Sequence, residues 1–99
     1  MRAVTMETTQ SKTMTETPSM ILYVRDYCGF CHRVTRVIDR LGLNVEIRNI
    51  WQSAEAESEL LQATGRHTVP VLRIMDASGD SRWLPESSEI VRYLEEKFG

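Results

Sequence analysis

No stretch of this 99-residue sequence stays apolar long enough to cross a bilayer: the longest run, Met20 to Val24, has five residues where about twenty are needed. No block of one charge occurs either. The 14 acidic and 12 basic residues are interspersed and leave a net charge of −2, so neither a nucleic acid nor an anionic membrane is indicated as a partner. Lysine is scarce. Ten of the twelve basic residues are arginine, whose planar guanidinium suits bidentate contact with carboxylates. With two cysteines and two histidines in all, a multi-bridge disulfide framework is excluded, and a finger-like zinc site lacks its second ligand pair.

An apolar content of 41% with 26% charged residues is that of one ordinary globular domain. Residues 1–18, rich in Thr, Met, Glu and Ser, show no apolar periodicity and lack the charged-then-apolar layout of an export signal. They read as a disordered tail, and methionines at positions 1, 6, 14 and 20 leave the true start open. The folded domain is expected over residues 19–99, in the cytoplasm, where a cysteine pair is catalytic or metal-binding rather than structural.

Within that domain, Met20-Ile21-Leu22-Tyr23-Val24 predicts a central strand buried on both faces. Val34, Val37, Ile38 and Leu41 then fall on one stripe of a helix ended by Gly42. Val45 to Arg48 alternates as an edge strand would. A second helix is predicted from Ser53, its N-cap, to Thr64, with Leu60 and Leu61 facing inward and Gly65 beyond its end. Val71 to Met75 and Ser81 to Leu84 flank a turn at Asp76-Ala77-Ser78-Gly79-Asp80, and a last helix starting near Ser87 would bury Ile90, Val91, Leu94 and Phe98. The order β-α-β-α-β-β-α gives an α/β, thioredoxin-like fold: a four-stranded mixed sheet with helices on both faces. Ligands gather outside the carboxyl ends of parallel strands in such sheets, and Asp26 to Cys31 falls there.

Both cysteines lie in Tyr27-Cys28-Gly29-Phe30-Cys31, where the first strand gives way to the first helix. A cysteine at a helix N-terminus meets unpaired backbone N–H groups and the positive end of the helix dipole, which favour the thiolate. Cys28 is therefore the candidate nucleophile, and Cys31, one turn later, the group that resolves a mixed disulfide. With His32 the string also matches a c-type haem attachment site, which would require export and a second axial ligand.

These residues resemble the glutaredoxin family over about eighty residues, from Ser19 to the end of the chain. Cys28-Gly29-Phe30-Cys31 looks like its redox motif, and Thr68-Val69-Pro70 looks like its Thr-Val-Pro segment, in which the proline is cis. From the residues alone, a trans proline opening a strand fits equally. By similarity, the backbone of Val69 would pair with the cysteinyl unit of glutathione. Glu86-Ser87, before Ser88-Glu89-Ile90-Val91-Arg92-Tyr93-Leu94, resembles the N-terminal domain of glutathione transferases, where such a pair holds the γ-glutamyl end of glutathione. Ser87 acting as a plain helix cap is the alternative. Arg25 and Arg66 occupy positions that are basic in the family and would pair with the glycine carboxylate or support the Cys28 thiolate, or stand as surface residues. Phe30 would form an apolar wall between the cysteines and Tyr27 would flank the opening.

The resemblance implies a glutathione-dependent oxidoreductase acting on glutathionylated or disulfide-containing proteins as a monomer. One departure keeps a second class open. Gly29 replaces the usual proline and resembles the Cys-Gly-Phe-Ser motif of monothiol members, which implies the alternative of a [2Fe–2S] carrier with Cys28 as cluster ligand in a dimer, although Cys31 stands where those proteins have serine. A glutathione-binding, transferase-like module is the third possibility.

Overall fold

The computed structural model describes residues 19–99, so the expected tail over 1–18 lies outside the described residues. The elements follow the predicted order: β1 Ser19–Val24, α1 Gly29–Leu41, β2 Glu46–Asn49, α2 Ala54–Thr64, β3 Val71–Met75, β4 Ser81–Leu84 and α3 Ser87–Phe98. One four-stranded sheet has the order β2-β1-β3-β4, with β1 parallel to β2 and antiparallel to β3, and β3 antiparallel to β4. β1 is thus central, and its residues from Met20 to Val24 are all buried, as their unbroken apolar run requires.

Alternation along β1 divides the core. Tyr23 points to the α2 side, where its hydroxyl donates to Glu59 Oε1 at 2.9 Å. Leu22 points the other way and is paired in register with Leu72, which is paired in turn with Leu84. All three are buried in one core with Val34 and Ile38 of α1 and Ile90 and Leu94 of α3. α1 ends where Gly42 takes a left-handed conformation, and α2 ends at Gly65 in the same way; their φ values are 67° and 73°, which a Cβ would make costly. Ser53 caps α2, its Oγ accepting from the N–H of Ala56 at 3.1 Å.

Three expectations need correction. Strand β2 begins at Glu46, so Val45 lies just outside it. Leu61 is 41% exposed rather than inward-facing, because it stands about 100° round α2 from the buried Leu60. In α3, Ile90 and Leu94 are buried, whereas Val91 and Phe98 pack on the core while half-exposed.

Glu59 also accepts from Arg48 Nη1, and Arg48 Nε donates to Glu46 Oε2 at 2.6 Å, so a tyrosine and an arginine converge on one half-buried carboxylate. Burial opposes the charge on Glu59, but the Arg48 guanidinium and the Tyr23 hydroxyl outweigh it and hold the carboxyl below its ordinary value. The depressed folded-state value means that this network stabilises the protein above the unfolded-state pKa and stops doing so as pH falls through the folded one. Urea midpoints of the wild type and Glu59→Gln should therefore differ at neutral pH and draw together as the pH falls through the depressed folded-state value of Glu59.

Candidate active site

Sheet topology brings four chain segments to one edge. β1 and β2 end there, β3 starts there, and β4 ends there before α3 begins. Val69 and Pro70 lead into β3 at this edge, and Glu86 follows the end of β4 there. The N-termini of α1 and α3 both rise from this edge.

Cys28 is the N-cap of α1. Its extended backbone, φ −112° and ψ 106°, lets its C=O accept the first helical bond from His32 N–H at 3.0 Å while Sγ accepts from Cys31 N–H at 3.1 Å. No acidic residue stands in the first turn to oppose a negative sulfur. Cys28 is half-exposed, Cys31 is only 4% exposed, and the two are paired as a disulfide with Cα atoms 5.2 Å apart. One sulfur of the pair is therefore open to an incoming molecule, and the other is reachable only past it.

The approach to Cys28 is a sharp turn. Tyr27 has φ 58°, a left-handed conformation uncommon for a residue with a Cβ, and its ring is 93% exposed. Arg25 stitches this turn: Nη1 donates to the C=O of Asp26 at 3.0 Å and to that of Tyr27 at 3.4 Å. Its guanidinium carbon stands 5.4 Å from the ring centre of Trp51, whose indole meets Tyr27 edge-on at 6.5 Å. Asp26 Oδ1 accepts from Asn49 Nδ2 at 2.9 Å and from Gln52 Nε2 at 3.3 Å, and Asn49 Oδ1 accepts from the N–H of Trp51 at 2.9 Å. The turn after β2 is thereby clamped to the cysteine loop.

Asp26, Asn49, Trp51 and Gln52 were absent from the sequence-predicted set. A tryptophan within the polar stretch Asn49 to Ser53, just past a strand ending at the same sheet edge, was the available signal. Of the predicted residues, Arg25, Tyr27, Cys28 and Cys31 line one cleft, with Asp26 and His32. Phe30 is exposed on the first turn of α1, outside that cleft. Thr68 and Arg66 are exposed, Val69 and Pro70 are buried, and the Val69–Pro70 bond is cis. Among the described residues no backbone group bonds the N–H or C=O of Val69. Glu86, not Ser87, is the N-cap of α3, and its side chain makes no cap hydrogen bond, so the plain-cap reading of Ser87 does not hold. Ser87 is the first helical residue and half-buried.

Residues 20–78 match the glutaredoxin family model. The chain belongs to the glutaredoxin family. Glutaredoxin 2 of Escherichia coli K12 is 30% identical over 80 residues, which cover 81% of this chain and 34% of that protein; this chain therefore spans about a third of that relative's length. A glutaredoxin of Ricinus communis is 28% identical over 68 residues, covering 66% of this chain and 67% of that one. Among solved structures, a glutathione transferase homologue from Drosophila mojavensis, with bound glutathione, aligns with a TM-score of 0.67 at 26% identity over 84% of this chain and 36% of its own. The trimeric glutathione transferase TDR1 of Leishmania gives a TM-score of 0.67 at 31% identity, over 82% of this chain and 18% of its own. The glutaredoxin core with a transferase-like fold is thus common ground between sequence and structure.

In the cluster-carrier alternative Cys28 would be the one ligand from each of two chains, and it could serve only once the Cys28–Cys31 disulfide is reduced.

Proposed function

We propose that the chain is a glutathione-dependent thiol–disulfide oxidoreductase, with Cys28 as nucleophile and Cys31 as resolving thiol. The observation that carries this reading is the half-exposed Cys28 sulfur at the N-cap of α1, accepting a backbone N–H and backed by a buried partner cysteine. In the first step the Cys28 thiolate attacks the glutathionyl sulfur of a mixed disulfide; the S–S bond breaks and the target leaves as a thiolate that takes up a proton. A second glutathione thiolate then attacks that same glutathionyl sulfur, forming glutathione disulfide and releasing Cys28 as thiolate. With a protein disulfide, Cys28 becomes linked to the target, and Cys31 attacks Cys28 to give the intramolecular disulfide and the reduced protein. Two glutathiones then restore the dithiol.

Glutathione would lie along the sheet edge. The free N–H and C=O of Val69 suit its cysteinyl unit as a short antiparallel strand, with Thr68 and cis Pro70 setting that edge. The side chain of Glu86, unspent on capping, suits the α-ammonium, while Ser87 and the helix N-terminus suit the α-carboxylate. Arg25 and Arg66 would meet the glycine carboxylate, with Tyr27 as an apolar wall, whereas Phe30 stands outside the cleft. A structural neighbour carries bound glutathione, which supports glutathione as the ligand. Glutathionylated and disulfide-bearing proteins are the corresponding partners, and a reducing compartment such as the cytoplasm is where this cycle runs. Among the described residues no helix is long and apolar enough to cross a membrane.

The alkylation rate of reduced protein against pH tests the reading. The Cys28 rate should rise at a pH well below the ~8.5 of a free thiol and should fall when glutathione is added as an unreactive S-methyl analogue. A midpoint at or above the free-thiol value, or no protection, would refute it.

A further inference from the structure

We infer that the exposed face of α1 is a docking surface for an acidic stretch of the target polypeptide, adjacent to the disulfide that Cys28 attacks. Gly29, Arg33, Arg36 and Arg40 recur at i, i+4, i+7 and i+11, so they stack on one side of the helix, beside the buried Val37. With His32 they line a groove, and Gly29 and His32 belong also to the cleft over the cysteine pair, so the two are continuous. From Gly29 to Arg40 the helix rises about 16 Å, the length of about five residues of extended chain.

The charge of this stripe is one-sided. In a chain of net charge −2, α1 carries Arg33, Arg36 and Arg40 against Asp39 alone. Arg40 pairs with Glu95 of α3, but among the described residues no ion pair takes Arg33 or Arg36, and both are exposed. Arg33 with Arg36, and Arg36 with Arg40, stand three and four apart, where like charges destabilise a helix. A merely solvated face would gain from acids at these spacings. Keeping cations there, in a groove that opens onto the reactive sulfur, fits an anionic ligand that already has its cystine at Cys28.

Two sources of carboxylate could meet such a groove: glutathione itself and the acidic side chains of a target. A tripeptide anchored through its sulfur at Cys28 and paired with Val69, as proposed, spans only about 10 Å, whereas Arg33 and Arg36 line the groove and not the cysteine cleft. The ligand of the arginine stripe is therefore the polypeptide. The inference rests on the redox reading for its position next to the disulfide, and its test separates the two.

The full chain is assayed with two peptides, each carrying one glutathionylated cysteine, flanked on one side by four glutamates or by four glutamines, and with the small neutral substrate hydroxyethyl disulfide. At low salt the glutamate peptide should show a kcat/KM higher by about fivefold, the gain of two exposed ion pairs, and added salt should erase it. The double variant Arg33→Gln/Arg36→Gln should lose that preference while keeping hydroxyethyl disulfide turnover and the KM for glutathione. Equal treatment of the two peptides by the wild type, or a variant whose KM for glutathione rises instead, would overturn the docking surface. Direct binding of the same peptides with the cysteine replaced by serine reads the surface apart from the chemistry. A preference for glutamate there supports it even if no disulfide is reduced, the result that would sink the redox reading instead.

Discussion

Replacing Cys28 by serine should lower kcat/KM for reduction of a glutathione mixed disulfide by at least about a thousandfold, whereas Cys31→Ser should keep turnover of the same substrate within its order of magnitude. The asymmetry follows from burial and from one hydrogen bond. Both cysteines line the cleft, but Cys28 is half-exposed while Cys31 is only 4% exposed. The N–H that Cys31 donates to Cys28 Sγ belongs to the backbone, so it survives substitution of the Cys31 side chain. The helix N-terminus remains in place as well. Serine at position 28 would retain the cap geometry but offer a hydroxyl that stays protonated at neutral pH. With a protein disulfide the picture changes, because the intermediate then has no intramolecular attacker in Cys31→Ser and should persist as an isolable mixed disulfide. A coupled assay that follows glutathione disulfide formation, run with both substrate types, checks all of this; equal loss in the two variants would refute the role assignment.

The architecture was legible where one signal sufficed. Five consecutive apolar residues made β1 central, and Gly42 and Gly65 ended their helices because each conformation there lies in the left-handed region. Alternation located β2 but not its ends, since Val45 is half-buried without joining the ladder. Leu61 was misplaced because two adjacent leucines cannot both face a core that a helix meets along one stripe. At the site, local motifs found the cysteines, while the clamp between Asp26 and the Asn49–Gln52 turn spans twenty-three to twenty-six positions, and no local pattern encodes it. The left-handed Tyr27 was equally invisible: a tyrosine adopts that conformation only where its surroundings, here Arg25 and Trp51, hold it. Glu86-Ser87 admitted two readings in the sequence, and which residue caps α3 was not legible there: the backbone makes it Glu86, with no cap hydrogen bond from its side chain.

Leu72→Ala should destabilise the domain by about 2–5 kcal/mol, and Leu61→Ala by less than about 0.5 kcal/mol, although both remove the same three carbons. Leu72 is fully buried at the centre of the sheet, in register with Leu22 on one side and Leu84 on the other. Helices α1 and α3 close over this core and cannot collapse into the space a missing isopropyl group would leave. Leu61 keeps much of its surface in water, so its removal forfeits little burial. Against a total stability of about 5–15 kcal/mol, the first loss is a large fraction and should shift the urea midpoint strongly with little change in slope. It should also reach the site. β3 begins directly after the cis Val69–Pro70 bond, and the edge offered by Val69 is held in place by the β3–β1 ladder. Protection of Cys28 by the glutathione analogue should therefore weaken at urea concentrations where Leu61→Ala still shows it in full. Equal destabilisation by the two substitutions would mean that the row Leu22, Leu72 and Leu84 is not the centre of the core.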